Sequence, residues 1–356
     1  MKMNKRISIG LRWLALSSLV VLFAGCSQQS KGSSKSNQSH KIVLYSNSLS
    51  GGRGAWLKKE AAKAGFTITP VSLGGGDVIN RLVSEKNKPV ADVVYGSSQF
   101  GFTKLQQQGI LKKFNVDWQK DLASGDDQGN GYFYPLTRQL IIQIADSKTA
   151  KQDLPTAWSD LTTSTAKYKY MVPNKTGING QTNQMVIANI LAKYKDDSAK
   201  DGVSPKAWPA IKNFFKNGKQ FGNPQLFSNP IAKKESTVSY TFSSDLLGIK
   251  KVSNFDPQII NSTDGSPQVI EQVGVVKKSG DTKNAERFAQ WLGSAITQKK
   301  IAKQFHTWPL NKKAASAIDP KEKEMLKDIK VTNLDMKWYN KNINKWIQKI
   351  SLNYFN

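Results

Sequence analysis

Cysteine and histidine are almost absent from this sequence. Its 356 residues contain one cysteine, Cys26, and two histidines, His40 and His306. One thiol cannot form an internal disulfide, and two histidines cannot supply a histidine metal cluster. Nucleophilic catalysis needs a Ser or Cys beside an oriented base, and the motifs GxSxG, HExxH and GxxxxGKS/T do not occur. We therefore expect no enzyme activity, no resident metal and no cofactor.

Acidic residues are also scarce. Asp and Glu number 26 against 52 Lys and Arg, which gives a net charge of +26 at pH 7. Such an excess can indicate nucleic-acid binding. The lysines are scattered, however, over segments such as WLKKEAAKAG and IAKKES, with no dense basic block. We interpret them as a solvated cationic exterior that adds attraction to an anionic membrane or cell wall, and we expect no nucleic-acid binding.

A hydrophobic run long enough to cross a membrane is missing near the N-terminus. Residues 14–24 form an apolar run of eleven residues after a positively charged start, whereas a membrane-spanning helix needs about 20. This arrangement is typical of a signal peptide. The following LFAGC resembles a bacterial lipobox, with Phe23 in place of the usual aliphatic residue.

We predict a signal peptide over residues 1–25, a lipid (palmitate) on Cys26, and a flexible Ser-rich tether over residues 26–40. The protein would then lie on the extracellular face of the bacterial cytoplasmic membrane, held there by the lipid. The alternative is an ordinary secretory signal followed by a chance cysteine.

From residue 41 onward, strand-like segments alternate with helical patterns. KIVLYS, FTITPVSL and VADVVYG read as strands separated by helix-length segments. This order predicts a parallel sheet with right-handed crossovers, and ligands of such sheets bind beyond the carboxyl ends of the strands. The loops there, SNSLSGG, LGGGD and YGSSQ, are rich in glycine and hydroxyl groups. Three such loops at one sheet edge indicate a binding site.

The remaining length predicts a second lobe, because about 315 residues follow the tether and exceed the usual size of one core. Residues 132–145, YFYPLTRQLIIQIA, form a long strand-like segment suited to crossing between lobes. The C-terminal segment MKWYNKNINKWIQKI is amphipathic. We expect it to pack against a lobe rather than lie on a membrane surface.

Several segments together resemble a known family. The segments VLYSNS, GGGDVINRL, ADVVYGSS, MVPNKTGINGQT, KKESTVSYTFSSD and DGSPQVIEQVGVVKKSGDTKNAERFAQWL are similar, in order and spacing, to those of the extracellular solute-binding proteins of ABC importers. The closest branch is the ferric-ion, thiamine and phosphonate-binding group, with the type II periplasmic-binding fold. The resemblance implies an α/β protein of two lobes, each a mainly parallel sheet flanked by helices, joined by crossover strands.

The resemblance also implies a division of the chain and a set of partners. Lobe one would contain residues 41–137 and 260–308, and lobe two residues 138–259 and 309–356. A small-molecule ligand would sit between the lobes, and closure would present it to an ABC permease and its ATPase. We expect a monomer.

Loop residues of both lobes are the candidate ligand contacts. Hydroxyl groups and backbone amides at helix N-termini suit an oxyanion, although each Ser could equally be a plain N-cap. The candidates are Ser46, Ser48, Gly75, Asp77, Ser97 and Ser98 from lobe one, and Thr176, Gly177, Asn179, Tyr240 and Ser243 from lobe two. Asp77 or Asp245 could pair with an amine of the ligand. The possible counter-charges for an anion are Arg53, Arg81, Arg138 and Lys175, each of which could equally have a surface role.

The residues argue against iron as the cargo. Iron-binding relatives carry two adjacent tyrosines near the segment SYTF, where this sequence has Tyr240 followed by Thr241. Fe(III) prefers several anionic oxygen ligands, and one phenolate is a weak cage. We expect a small organic anion or zwitterion, with a phosphonate or phosphate ester ahead of thiamine. Ferric-iron or thiamine binding, and a surface lipoprotein without a transport role, are the alternatives.

Overall fold

The computed structural model describes residues 41–221, 228–278 and 282–355. The predicted signal peptide, Cys26 and the tether lie outside these ranges, so the lipid anchor stays a prediction. Within the described ranges, no helix is both long and apolar enough to span a membrane.

Helices separate most of the strands along the described chain, as the sequence pattern predicts. The strands are β1 (Ile42–Ser46), β2 (Ile68–Ser72), β3 (Val93–Ser98), β4 (Leu111–Lys112), β5 (Phe133–Asp146), β6 (Met171–Pro173), β7 (Lys219–Phe221), β8 (Val238–Phe242), β9 (Pro257–Ile260), β10 (Ser266–Val276), β11 (Trp308–Pro309) and β12 (Val331–Thr332). The α-helices are α1 (Arg53–Lys63), α2 (Gly75–Ser84), α3 (Gln99–Gln107), α4 (Gln181–Ala192), α5 (Ala207–Asn217), α6 (Asn229–Ala232), α7 (Leu246–Ser253), α8 (Lys283–Gly293), α9 (Ala295–Phe305), α10 (Pro320–Leu326) and α11 (Met336–Asn353).

The first three strands form the parallel unit that the sequence predicts. β1 lies between β2 and β3 and pairs with both in parallel, so that Ser46 is level with Ser72 on one side and with Tyr95 on the other. The carboxyl ends of the three strands therefore meet at one edge of the sheet. The three predicted loops emerge there, which brings distant parts of the sequence together.

β5 and β10 turn this parallel unit into a mixed sheet. β10 pairs antiparallel with β3 on one side and with β5 on the other. The first half of β5 pairs with β10, whereas its second half, from Ile141 onward, pairs antiparallel with β8 and β9. Parallel pairing in the large sheet is thus confined, among the described residues, to β2–β1–β3 and the short β10–β12 contact. One strand, β5, connects two parts of the molecule.

Two large sets of buried side chains lie on either side of this connection. The first core contains Leu44, Val93, Val273 and Phe288, from β1, β3, β10 and α8. The second core is built mainly from β5, β8 and helices α4, α5 and α11; it includes Ile141, Met185, Ile187, Phe214, Trp338 and Trp346. The predicted lobe boundaries remain a prediction. β5 and β10 contribute side chains to both cores, whereas the helices named here belong to one core each.

The C-terminal helix α11 packs into the second core, as expected from its amphipathic pattern. Trp338, Ile343, Trp346, Ile347 and Ile350 are all buried. The two tryptophan rings lie 4.6 Å apart between centroids. Their indole N–H groups donate to the backbone carbonyls of residues 202 and 201, so both polar atoms of these large side chains are satisfied.

Helix α10 contains an acidic side chain in an apolar setting. Glu322 is fully buried, and neither carboxylate oxygen accepts a hydrogen bond from the residues that the structure describes. Burial raises the pKa of Glu322 to about 8, with the charges of Asp319 and Asp245 adding to the rise and the Trp308 side chain opposing it. The raised pKa favours the protonated form of Glu322 at neutral pH.

We expect this carboxyl group to make the protein less stable as pH rises from about 4.5, its ordinary pKa, to about 8. Its folded-state pKa is raised, so its favourable contribution is complete below pH 4.5 and is lost as pH rises through the folded pKa. Glu322→Gln should flatten this part of the pH profile, measured as the free energy of unfolding in urea at several pH values. Glu324→Gln, on the exposed face of the same helix, is the control. An unchanged slope in Glu322→Gln would contradict the assignment.

Candidate functional site

The buried carboxylate of Glu271 lies at the centre of a polar network at the carboxyl edge of the parallel strands. Glu271 is 6% exposed and sits at a register shift in β10. Five side chains donate hydrogen bonds to it: Ser48 Oγ (2.6 Å), Thr137 Oγ1 (3.0 Å), Gln139 Nε2 (3.2 Å), Tyr95 OH (3.3 Å) and Arg53 Nη1 (3.4 Å). The donors come from the loop after β1, from β3 and from β5. One charged group thus positions three elements of the site.

Strand geometry explains part of this network. Thr137 and Gln139 are two residues apart on β5, so their side chains point to the same face of the sheet. β10 lies directly beside β5, with Glu271 opposite Thr137. Ser48, in the turn between β1 and α1, and Arg53, the first residue of α1, reach the same carboxylate. The turn is therefore attached to the crossover strands as well as to its own sheet edge.

Arg53 is the cation of the network. Its Nη1 atom lies 3.4 Å from both carboxylate oxygens of Glu271, and its guanidinium carbon lies 5.2 Å from the centre of the Phe305 ring. Burial alone would lower the pKa of Arg53, but the interactions with Tyr95 and Glu271 outweigh it and raise the pKa. Burial, followed by the charge of Glu271, raises the pKa of Tyr95. The positive charge of Arg53 and the negative charge of Glu271 therefore offset each other within the ion pair.

A cavity of about 540 Å³ lies against this network. Its wall comes from the turns after β1, β2 and β3, from the start of α4, and from the segment between β8 and α7. The lining residues are Asn47, Ser48, Ser50, Arg53, Ser72, Leu73, Gly74, Gly75, Ser97, Gln139, Gly180, Gln181, Thr182, Phe242, Ser244, Asp245, Val269 and Glu271. Elements of both cores contribute to this wall.

Four helices begin at or beside this cavity. Helices α1, α2 and α4 start with lining residues, namely Arg53, Gly75 and Gln181, and α3 starts two residues after Ser97. None of these helices has a side-chain hydrogen bond at its N-cap. In α1, however, the N–H groups of Arg53 and Gly54 already donate to the backbone carbonyls of Ser50 and Leu49, so α2, α3 and α4 are the helices that offer donors. The first turn of a helix has backbone N–H groups without intrahelical partners and carries partial positive charge. The arrangement favours a bound oxyanion.

Ser97 adds a side chain to this set of donors. It is 1% exposed, its Oγ has no hydrogen-bond partner among the described residues, and its backbone is left-handed with φ of 32°. Its N–H donates to Asn47 Oδ1 at 2.6 Å. The preceding Gly96, with φ of 90°, leaves no room for a Cβ beside Asn47 and Ser48. Backbone strain and an unsatisfied buried hydroxyl at a cavity are typical of a ligand-binding position.

Hydrogen bonds connect the two sides of the cavity. The Ser98 N–H donates to Gln181 Oε1 at 3.2 Å, and Ser244 Oγ donates to Gln139 Oε1 at 3.0 Å. A Cβ on Gly75 would lie 2.9 Å from Gln181 Cδ, so a larger residue there would displace the end of the Gln181 side chain. Hydrogen bonds therefore join the elements on the two sides of the cavity.

Asp245 lies where this cavity meets a larger one of about 900 Å³. Both cavities are lined by Ser50, Phe242, Ser244 and Asp245. The Asp245 side chain is exposed to this space, and Thr241 Oγ1 donates to its Oδ2 at 2.9 Å. The protein packed around its other sides raises the pKa of Asp245, against the opposing effects of Thr241, the Phe242 N–H and Arg53.

The structure brings some of the predicted contact residues to the smaller cavity and leaves others away from it. Ser48, Gly75 and Ser97 line it. Ser46, Ser98 and Ser243 are buried behind the wall, where Ser46 Oγ accepts from the Ser48 N–H and Ser243 Oγ accepts from the Leu140 N–H.

The other predicted contacts lie outside that wall. Tyr240 is buried in the second core and donates to Asn183 Oδ1 at 2.6 Å. Asp77 has an exposed side chain in the first turn of α2, and Thr176, Gly177 and Asn179 form the turn before α4 without lining the cavity. Their side chains thus stabilise the surrounding structure or face away from the cavity.

Sequence reasoning missed Glu271, Gln139, Gln181 and Asn47 as site residues. One signal was available for Glu271, because an acidic residue interrupts the otherwise apolar strand PQVIEQVGVV. Buried charges are rarely found without a partner. The partners themselves depend on strand pairing that the sequence pattern does not specify.

Comparison with known proteins identifies the family. A family model described as "Bacterial extracellular solute-binding protein" matches residues 55–330, more than half of the chain. The chain belongs to this family. The solute-binding resemblance seen in the sequence is thereby confirmed.

Relatives of this solute-binding protein include a "Probable ABC transporter periplasmic-binding protein" of Sinorhizobium fredii, which is 27% identical over 318 residues and aligns with 87% of this chain and 86% of the relative. A "Putative 2-aminoethylphosphonate-binding periplasmic protein" of Salmonella typhi is 30% identical over 141 residues, covering 38% of this chain and 40% of the relative.

Solved structures share the fold of this solute-binding protein. The iron-bound HitA of Pseudomonas aeruginosa superimposes with a TM-score of 0.74 at 17% identity, covering 88% of this chain and 99% of that one. The fructose-6-phosphate-bound AfuA of Actinobacillus pleuropneumoniae gives 0.71 at 20% identity, with the same coverage. The fold is the two-lobed α/β fold of periplasmic binding proteins.

We expect Glu271→Ala to destabilise the solute-binding protein by about 3–5 kcal/mol, because it leaves the Arg53 charge and several donors buried without their partner. The free energy of unfolding in urea measures the loss. Glu324→Ala removes an exposed carboxylate that pairs with Lys327 and should cost at most about 1 kcal/mol. Equal effects of the two substitutions would show that the network is not structurally important.

Proposed function

We propose that this protein is the substrate-binding component of an ABC importer and that it binds a small solute bearing a phosphonate or phosphate ester group. The observation that carries the proposal is the convergence on one cavity of the N-termini of α2, α3 and α4, which lack side-chain caps, and of the Ser97 hydroxyl, which has no hydrogen-bond partner among the described residues. These groups all offer hydrogen-bond donors to a negative charge. They do so in a cavity whose volume suits a small molecule.

The relatives support both halves of the proposal. The Sinorhizobium relative is named for an ABC transporter, the Salmonella relative for 2-aminoethylphosphonate, and the AfuA structure contains fructose 6-phosphate. A phosphorus oxyanion is common to the last two ligands. The partners of this protein would be an ABC permease and its ATPase. The protein would act as a monomer, and a lipid on Cys26 would hold it at the extracellular face of the membrane.

Iron is less consistent with the residues present, although HitA is described as iron-bound. Tyr240 is buried and hydrogen-bonded to Asn183, and its neighbour Thr241 donates to Asp245. In the described ranges, no group of three or more His, Cys, Asp or Glu side chains is arranged to hold a metal ion. Thiamine would require aromatic stacking, and Phe242 is the aromatic residue among those that line the smaller cavity.

Ligand-driven closure follows from the position of the cavity. Residues of both cores line it, so a ligand that contacts both sides favours the arrangement in which those contacts coexist. The crossover strands β5 and β10 are the connection about which the lobes would move. The adjoining hydrogen bonds between Ser98 and Gln181, and between Ser244 and Gln139, would then be made or lost with closure.

Thermal-shift and calorimetric titration of the mature protein test the function. The panel should contain alkylphosphonates, 2-aminoethylphosphonate, sugar phosphates, thiamine, polyamines and ferric citrate. A true ligand at 100 times its Kd should stabilise the protein by about 2.7 kcal/mol.

Ser97→Ala should weaken binding of the preferred ligand by about tenfold, the effect of losing one hydrogen bond to a charged group. Ser84→Ala is the matched control, because Ser84 is exposed on α2 and its hydroxyl donates only to its own helix. Preference for ferric citrate, abolished in Tyr240→Phe, would overturn the oxyanion assignment. A panel without any stabilising compound would count against the transport role itself.

A further inference from the structure

The charge at the cavity differs from the charge of the chain. The whole sequence carries +26, yet the charged residues that line the smaller cavity are Arg53, Asp245 and Glu271. The first and last of these form an ion pair with Nη1 3.4 Å from the carboxylate. The charges of this pair compensate each other, so the remaining charge on the wall is the negative one of Asp245.

Asp245 has no cationic partner within the described part of the chain. Its Oδ2 accepts a hydrogen bond from Thr241 Oγ1, but no Lys, Arg or His nitrogen of the described residues lies within ion-pair distance of either oxygen. In the adjoining larger cavity, Lys233 and His306 also belong to the wall, but His306 Nδ1 lies 4.0 Å from Asp319 rather than beside Asp245. The carboxylate faces open space in a protein rich in lysine.

Two poles of opposite character therefore line one cavity. One pole consists of uncapped helix N-termini and the unpaired, 1% exposed Ser97 hydroxyl, which offer donors to an anion. The other is the exposed Asp245 carboxylate, which would repel an anion and attract a cation. A purely anionic solute would satisfy the first pole and leave the second uncompensated, because Arg53 is already paired.

We propose that the solute is a zwitterion whose oxyanion binds at the helix N-termini beside Ser97 and whose ammonium group pairs with Asp245. The inference rests on the function proposed above and narrows its ligand to an amino-oxyanion, such as an aminoalkylphosphonate. Asp245 is then the residue that discriminates between a zwitterion and a simple phosphate ester, since the latter would leave the Asp245 carboxylate without a cationic partner.

The test compares matched ligands that differ only in the amine. Aminomethyl-, 2-aminoethyl- and 3-aminopropylphosphonate are titrated into the mature protein beside methyl-, ethyl- and propylphosphonate. At least one amino ligand should bind tenfold or more tightly than its alkyl counterpart. This comparison needs no variant, so it stays decisive if a substitution at Asp245 prevents folding.

Variants assign the effect to a residue. Asp245→Asn should weaken the preferred amino ligand by tenfold or more and leave the alkyl ligand unchanged or bound more tightly. Ser97→Ala should weaken both ligands of the pair to a similar extent, because it acts on the shared phosphonate. Asp256→Asn, at an exposed carboxylate paired with Lys250, is the matched control and should change neither.

The outcomes separate the zwitterion inference from the transport function. If alkyl- and aminoalkylphosphonates bind equally, and Asp245→Asn affects both alike, the zwitterion assignment is wrong while an oxyanion-binding function stands. If no phosphonate binds but a sugar phosphate does, the function again stands and the amine pole is refuted. If no compound of either group binds, both the function and the inference are contradicted.

Discussion

Glu271 introduces a carboxylate into the sheet at a position where an unpaired charge would cost several kcal/mol. The surrounding chain meets that cost with five hydrogen-bond donors from three parts of the sequence. Each donor is therefore constrained: the turn after β1 must approach β10, and β5 must present Thr137 and Gln139 on one face. The wall of the candidate site is thus determined by the need to satisfy one buried charge.

The need to satisfy Glu271 also determines how charge is distributed within the candidate site. Arg53 would be the obvious counter-ion for a phosphonate, but its interaction with Glu271 already compensates its charge. In the proposed function, the attraction for an anion comes instead from helix N-termini, backbone N–H groups and Ser97. Such donors are directional and carry no net charge. They therefore favour an oxyanion whose shape matches their positions over other negatively charged groups. The many surface lysines contribute a long-range field that salt would screen.

Much of the fold was predictable because it depends on local patterns. The alternation of KIVLYS, FTITPVSL and VADVVYG with helical segments predicts β1, β2 and β3 and the edge where their loops meet, and residues 132–145 closely match β5. Ser48, Gly75 and Ser97 reach the cavity because they lie in those loops. Asp77 does not, because its position in the first turn of α2 directs its side chain to solvent.

The network around Glu271 was beyond sequence reasoning for a physical reason. It requires β10 to pair with β5, residues separated by more than 130 positions, in a register interrupted by a bulge. A shift of one residue would turn Glu271 to the opposite face. The antiparallel crossover pair, which makes the sheet mixed, is likewise a long-range choice. Local periodicity indicates that these segments are strands but not which neighbours they take.

The continuity of β5 has a consequence for how the molecule responds to heat and force. Its first half completes the ladder of one core and its second half that of the other, without a break between Phe133 and Asp146. Neither core can release its part of the strand without weakening the other. The two lobes should therefore melt together as one calorimetric unit, despite having separate interiors. Any relative movement of the lobes would be accompanied by twisting of the β5–β10 strand pair, because both strands contribute side chains to both cores.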